Sequence, residues 1–196
     1  MKNIILCGVG GHGVITTAKL LGKAAIKANV NVISSEVHGM AQRGGAVITT
    51  IRMGEVWSSL IPDGEADIIV STEPVEALRH INKASEKTIV ITDINPVIPF
   101  TVTISGEEYP DIEEIFKEIE KKCKKLIKID ALQLAKKAGS SISKNIVLLG
   151  ALAATGILPF DSKILLETIK ESLPKKFEKT NIQAFREGMN AIKNIS

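Results

Sequence analysis

The run Gly8-Val9-Gly10-Gly11-His12-Gly13 carries glycines in the spacing Gly-x-Gly-x-x-Gly. Glycines so placed let the backbone turn sharply and bring amide N–H groups close to an anion, and the dipole of a following helix favours negative charge at the same point. The run is preceded by apolar Ile4 to Cys7 and followed by Ile15, Ala18, Leu21, Ala25 and Ile26 near helical spacing. Strand, glycine turn and helix are the context a dinucleotide fingerprint requires, and Glu36 stands roughly where an acid would meet a ribose. The same spacing serves tight packing of a strand against a helix, or the phosphate of another ligand. Gly10, Gly11, His12 and Gly13 are therefore the candidates for phosphate binding. An imidazole at His12 either points at a ligand or is an exposed or packing side chain.

A second segment, Glu36-Val37-His38-Gly39-Met40-Ala41-Gln42-Arg43-Gly44-Gly45, has neither helical nor strand periodicity and reads as a functional loop. Arg43 can clamp a carboxylate or phosphate through two parallel hydrogen bonds, and Gln42 can both donate and accept. The competing role for His38, Gln42 and Arg43 is pairing across a subunit interface. The sequence offers no Ser and His with an orienting acid, no histidine pair at helical spacing and no Walker lysine loop. Catalysis by this chain alone is not expected.

The elements that must position these residues follow from periodicity. After the first strand and helix, Val30 to Ser34 is a second strand. Ala46 to Arg52 alternates as a strand, and Met53-Gly54-Glu55 turns it into a hairpin with Val56 to Leu60. A hairpin here departs from a simple doubly wound nucleotide fold and predicts a mixed sheet. Asp67 to Ser71 and Thr88 to Thr92 are buried strands, with a helix from Pro74 to His80 between them. Val102 to Ile104 is a short edge strand, Asp111 to Lys125 an amphipathic helix, and Leu126 to Ile129 a further strand. The last third is helical, over Ile146 to Ala154, from Asp161 or Ser162 to Leu173, and over Ile182 to Ile192. The expected class is α/β, a three-layer α/β/α arrangement with a mixed, largely parallel sheet and a helical C-terminal third, in one domain spanning residues 1–196.

Composition excludes several functions. Aromatic residues are 4% of a chain that is 44% apolar, as suits a sheet of Ile, Leu and Val covered by helices. The net charge of +3 is not gathered into the basic face that nucleic acid requires. Lys121, Lys122, Lys124, Lys125 and Lys128 follow Glu113, Glu114, Glu118 and Glu120 in what reads as one solvated helix complementing its own dipole, with an anion or an acidic partner as the alternative. No apolar run reaches membrane-spanning length and no signal-peptide pattern opens the chain, so a cytoplasmic protein without membrane contact is expected. Cys7 and Cys123 are too few and too far apart for an iron–sulfur or zinc motif, so no metal site is expected on this chain.

Taken together, Gly8 to Val14, Ser35 to Gly45, Leu60-Ile-Pro-Asp-Gly-Glu-Ala-Asp67 and Glu73-Pro-Val-Glu-Ala-Leu-Arg79 resemble the beta subunit of indolepyruvate ferredoxin oxidoreductases. The broader family is that of the gamma subunits or domains of 2-oxoacid:ferredoxin oxidoreductases. Asn145, Leu149-Gly150-Ala151, Asn181, Ala184, Phe185 and Gly188 extend the similarity more loosely. The resemblance implies oxidative decarboxylation of arylpyruvates with coenzyme A to arylacetyl-coenzyme A, carbon dioxide and reduced ferredoxin. It further implies an alpha subunit that binds thiamine diphosphate with a divalent metal and carries the iron–sulfur clusters. Glu36, His38, Gln42 and Arg43 would then face the active site across the subunit interface, and Gly10 to Gly13 would be open to a phosphate of coenzyme A. Two other readings stand beside it: a small NAD(P)-dependent oxidoreductase using Gly8 to Gly13, and a stand-alone ligand-binding module.

Overall fold

Ile4, Ile5, Leu6 and Cys7 are consecutive and apolar, and consecutive strand residues face opposite sides of a sheet. Such a strand is stable only with both faces covered. In the computed structural model, which describes residues 1–38, 44–97 and 108–193, all four are at most 2% exposed. Their strand, β1 (Lys2–Val9), lies inside a six-stranded sheet with β2 (Val32–His38), β3 (Ala46–Met53), β4 (Ile68–Ser71), β5 (Ile89–Asp93) and β6 (Lys125–Ile129), in the order β2-β3-β1-β4-β5-β6. β1, β4, β5 and β6 are mutually parallel, whereas β3 runs antiparallel to both β1 and β2. The sheet is mixed and largely parallel, as expected.

Seven α-helices cover it among the described residues: α1 (Val14–Lys27), α2 (Pro74–Arg79), α3 (Ile112–Glu120), α4 (Ala131–Lys137), α5 (Lys144–Ala154), α6 (Ser162–Ser172) and α7 (Glu178–Lys193). Ala18, Leu21, Ala135, Leu149, Ile169 and Phe185 carry α1 and α4 to α7 onto one face, with Leu6 and Ile4. Ala77, Ile115 and Ile119 carry α2 and α3 onto the other, with Ile5 and Cys7. This is the three-layer α/β/α arrangement with a helical C-terminal third.

Three local expectations are corrected. Residues 56–60 form no strand, and the hairpin partner of β3 is β2. With β1 on one side and β2 on the other, β3 has no free edge, and the Arg52 guanidinium instead takes the carbonyls of Ser58 at 3.1 Å and Leu60 at 2.9 Å. The lysine-rich run is not one helix. α3 ends at Glu120, Lys121, Lys122 and Lys124 lie in a turn with Cys123, and Lys125 and Lys128 belong to β6. The Lys124 amide already bonds to the Thr88 carbonyl at 2.9 Å, so β6 starts alongside β5 where a longer helix would have continued. Finally, β2 runs on to His38, which puts Glu36 and Val37 on a strand and not in a loop. α4, capped by the Asp130 carboxylate on the Gln133 amide, was not anticipated, and Val102 to Ile104 lies outside the described residues.

The helical third is held by a crossing so close that only glycine fits. A Cβ at Gly188 would sit 1.9 Å from the Val147 carbonyl oxygen, and one at Gly150 would sit 2.0 Å from that of Phe185. The backbones of α5 and α7 are therefore in direct contact. Gly22 in α1 faces open space by the same criterion. Gly188→Ala is expected to destabilise the chain by about 1–3 kcal/mol or more through overpacking, while Gly22→Ala stabilises it by roughly 0.5–1 kcal/mol. Thermal or urea denaturation of the two variants should shift in opposite directions.

Candidate functional site

β1 is followed by α1 on one face of the sheet and β4 by α2 on the other. Where neighbouring parallel strands send their helices to opposite faces, a crevice opens at their carboxyl ends. The first glycine run lies there. A Cβ at Gly8 would meet the Thr72 hydroxyl oxygen at 1.8 Å. Gly13, with φ +83°, caps α1, and its Cβ would lie 2.7 Å from the Asn145 carboxamide nitrogen. Both ends of the fingerprint are thus occupied by side chains from elsewhere in the fold.

The amides of this turn divide into two groups. Gly10 donates to the Gly45 carbonyl at 2.8 Å and His12 to the Val9 carbonyl at 3.1 Å, while Gly11 and Gly13 have no amide partner among the described residues. Of the four phosphate candidates, Gly10 and His12 have their backbone donors engaged, leaving those of Gly11 and Gly13. The Gly44 amide returns a bond to the Gly10 carbonyl at 3.3 Å, so the end of the second glycine segment is stitched to the first. Glu36 is exposed on β2, an edge strand, and His38 ends that strand. Gln42 and Arg43 lie outside the described residues.

Sequence reasoning did not find Lys144 or Asp93. Asp93 ends β5 and is fully buried, while the Lys144 side chain, at the first position of α5, is 10% exposed. The ammonium lies 2.8 Å from Asp93 Oδ2 and donates to the Thr72 carbonyl at 3.1 Å. The first is an ion contact without hydrogen-bond alignment, since Oδ2 accepts no hydrogen bond. Asp93 Oδ1 accepts from the Asn95 amide and carboxamide and from the Ala131 amide at the start of α4. Burial, and then the Lys144 charge, hold the His12 imidazole below its ordinary range, with Asp93 opposing. The one signal in the sequence was Lys144 itself, a cation opening a strongly apolar helix, against the dipole rule.

Lys144 and His12 border a cleft of about 480 Å³, the size of a small-molecule site. Gly11, His12, Gly13 and Thr16 form one wall, Ser140 to Ile146 a second, and Leu173, Pro174, Phe177 and Asn181 a third. A wider depression of about 860 Å³ lies between α2 and α3 on the opposite face, but it includes neither glycine segment. The 480 Å³ cleft is therefore the candidate site.

Residues 3–191 match the pyruvate ferredoxin/flavodoxin oxidoreductase family. The chain is 44% identical over 189 residues to the indolepyruvate oxidoreductase subunit IorB of Methanothermobacter thermautotrophicus, covering 96% of each. Its fold matches the gamma subunit of a keto/oxoacid ferredoxin oxidoreductase from Geobacter sulfurreducens, with a TM-score of 0.71, 20% identity and 99% of both chains covered. It also matches a 2-oxoglutarate:ferredoxin oxidoreductase from Magnetococcus marinus, with a TM-score of 0.75 and 21% identity, all of this chain aligning with 31% of that one. The chain belongs to the pyruvate ferredoxin/flavodoxin oxidoreductase family and is a subunit of a 2-oxoacid:ferredoxin oxidoreductase. Within that family it falls with the indolepyruvate-type beta subunits.

Lys144→Met leaves Asp93 buried without its counter-charge and is expected to cost about 3–5 kcal/mol, with much of the loss recovered in the Lys144→Met/Asp93→Asn double variant. Urea denaturation of the single and double variants measures this. In the double variant, urea denaturation across pH should still find stability falling as pH drops below about 6.5, because burial makes His12 bind its proton more readily unfolded than folded.

Proposed function

We propose that this chain is the cluster-free subunit of an indolepyruvate, or more broadly arylpyruvate, ferredoxin oxidoreductase. The reaction is oxidative decarboxylation of the 2-oxoacid with coenzyme A, giving arylacetyl-coenzyme A, carbon dioxide and reduced ferredoxin. The chain acts as one gamma-type domain over residues 1–196, in the cytoplasm, with an alpha subunit through which ferredoxin is reduced. The observation that carries this reading is the stitching of Gly10 to Gly44 and Gly45 beside the cleft. It sets Gly44 and Gly45, the last residues of the stretch that bears the strongest indolepyruvate resemblance, against the turn whose Gly11 and Gly13 amides have no partner among the described residues.

The redox and decarboxylating groups belong on the alpha subunit because the residues present here do not fit them. A four-thiolate cluster exceeds the two cysteines of the chain. Burial pushes the Cys7 thiol up to about 12, and Cys123 is also raised by partial burial. Among the described residues no group of three or more His, Cys, Asp or Glu could hold a metal ion. What this chain contributes is positioning: His12, Gly11 and Gly13 toward a phosphate of coenzyme A, and Glu36, His38, Gln42 and Arg43 toward the partner's active site.

The use of the fingerprint for NAD(P) is disfavoured by β3, which separates β1 from β2. Copurification with the alpha subunit and anaerobic assay of indolepyruvate, phenylpyruvate and pyruvate with a viologen acceptor tests the proposal. Turnover should favour the aryl substrates, depend on coenzyme A and vanish when this chain is omitted. His38→Ala and Arg43→Ala should impair assembly, turnover or the KM for coenzyme A; no change in all three would remove the interface assignment.

A further inference from the structure

Side chains of a strand alternate between two faces, so a three-layer fold covers each part of its sheet twice. β2 and β3 are covered once. On one face α1 contacts both strands. On the other, α2 contacts β1, β4 and β5 and α3 contacts β6, and among the described residues no helix packs along β2 or β3. The register sets Ile33, Ser35 and Val37 opposite Arg52, Thr50 and Ile48 on this second face, where Ile48 packs against Ile5 and Cys7. Val37 is 62% exposed at one end of it. At the other end the Arg52 guanidinium holds the Ser58 and Leu60 carbonyls and Met1 Sδ. Leu60 is 77% exposed there, and Trp57, next to Ser58, is 94% exposed. Exposed apolar side chains gathered on one face mark an interaction surface.

The flank of this face toward α2 is acidic. Leu78 lines the depression between α2 and α3, which puts Glu76, about 200° away around the helix, on the side toward β3. Burial raises the Cys7 thiol and the Glu76 charge adds to the rise; Cys7 is the register partner of Ile48. Glu73 and Glu76 are 2% and 4% exposed. Glu73 accepts from the Glu76 amide on one oxygen and from the Tyr109 hydroxyl on the other. Glu76 Oε1 accepts from Arg79 Nε at 3.2 Å, whereas Oε2 is buried without a hydrogen-bond partner. Such an oxygen is short of a donor.

We propose that an amphipathic helix of the alpha subunit docks on the bare face of β2 and β3, with its apolar side on Val37, Ile48, Trp57 and Leu60 and a basic side chain at Glu76 Oε2. The inference rests on the reading of this chain as one subunit of a larger oxidoreductase. Two strands span roughly 10 Å and a helix with its side chains about 10–12 Å, so one helix fits the space, as α1 does on the opposite face. The carboxylates select a cation, which disfavours a second copy of this chain bringing the same acidic flank. β2 also leads into the segment of Gln42 and Arg43, so the surface is continuous with the contact proposed for them.

The test uses the copurified complex, diluted and followed by sedimentation velocity. Trp57→Ala, Val37→Asp and Leu60→Asp, all at exposed positions, should each raise the dissociation constant for the alpha subunit about tenfold or more. Ile26→Asp, at a 68% exposed position of α1, should leave it unchanged. Glu76→Gln should weaken assembly about tenfold and flatten its dependence on salt, which a merely structural role would not do. A photo-cross-linking residue in place of Trp57 should capture an alpha-subunit peptide with apolar residues at helical spacing and a Lys or Arg among them. Unchanged assembly in the three apolar variants, an unaltered salt dependence in Glu76→Gln, or a cross-link to a second copy of this chain or to its own residues 98–107 overturns the proposal and leaves the functional reading standing. A complex that assembles but turns over no 2-oxoacid overturns the functional reading alone, and a chain that assembles with no alpha subunit overturns both.

Discussion

The ion contact between Lys144 and Asp93 joins parts of the molecule that the chain itself keeps far apart. Asp93 terminates β5 and holds the start of α4 through the Ala131 amide, while Lys144 opens α5 and holds the end of β4 through the Thr72 carbonyl. The helical third is thereby set against the carboxyl edge of the sheet at one defined height. Burying two charges is costly, and the pair is tolerable because the surrounding carbonyl and amides satisfy much of what water would have supplied. Placing a lysine at the first position of a helix adds a further unfavourable term. Positions that break local rules in this way are where function concentrates.

Once α5 is fixed at that height, the glycines become obligatory. Asn145 follows Lys144 directly and fills the space beside Gly13, so the β1–α1 turn can close only where no side chain stands. One turn of helix further on, Val147 and Gly150 meet Gly188 and Phe185 of α7 in the backbone contact. That contact brings Asn181 to the cleft from one side as Asn145 arrives from the other. The cleft is thus a consequence of helix packing, and its walls come from segments more than a hundred residues apart in the chain.

This distance explains what could be read in advance. β1, its glycine turn and α1 are consecutive and have strong periodicity, so they were legible, as was the C-terminal helical pattern. The mixed sheet was legible from the strand at Ala46 to Arg52, but its partner was not. Val32 to His38 and Val56 to Leu60 are both adjacent in sequence, and the choice was made by β1 occupying the other edge of β3. In the same way, the lysine-rich run looked helical because its charges suited a dipole, whereas pairing of β6 with β5 interrupted it. The Lys144, Asn145 and Asn181 constellation depends on contacts between distant elements, for which local spacing provides no signal; only the resemblance drew attention to the two asparagines.

The position of β3 also decides how the fingerprint should be understood. In a dinucleotide fold the acid after the second strand reaches the ribose because that strand lies next to the first and parallel to it. Here β3 separates them, moving Glu36 two strand spacings, roughly 10 Å, from β1. Meanwhile Asn145 fills the space beside Gly13, and two of the turn's amides bond internally. The glycine pattern that suggested a nucleotide-binding enzyme therefore serves first to let a helix from the far end of the chain dock on the turn. Among the described residues its unpartnered amides are those of Gly11 and Gly13, which border a cleft lined by hydroxyl, carboxamide and apolar side chains together with Lys144 and His12.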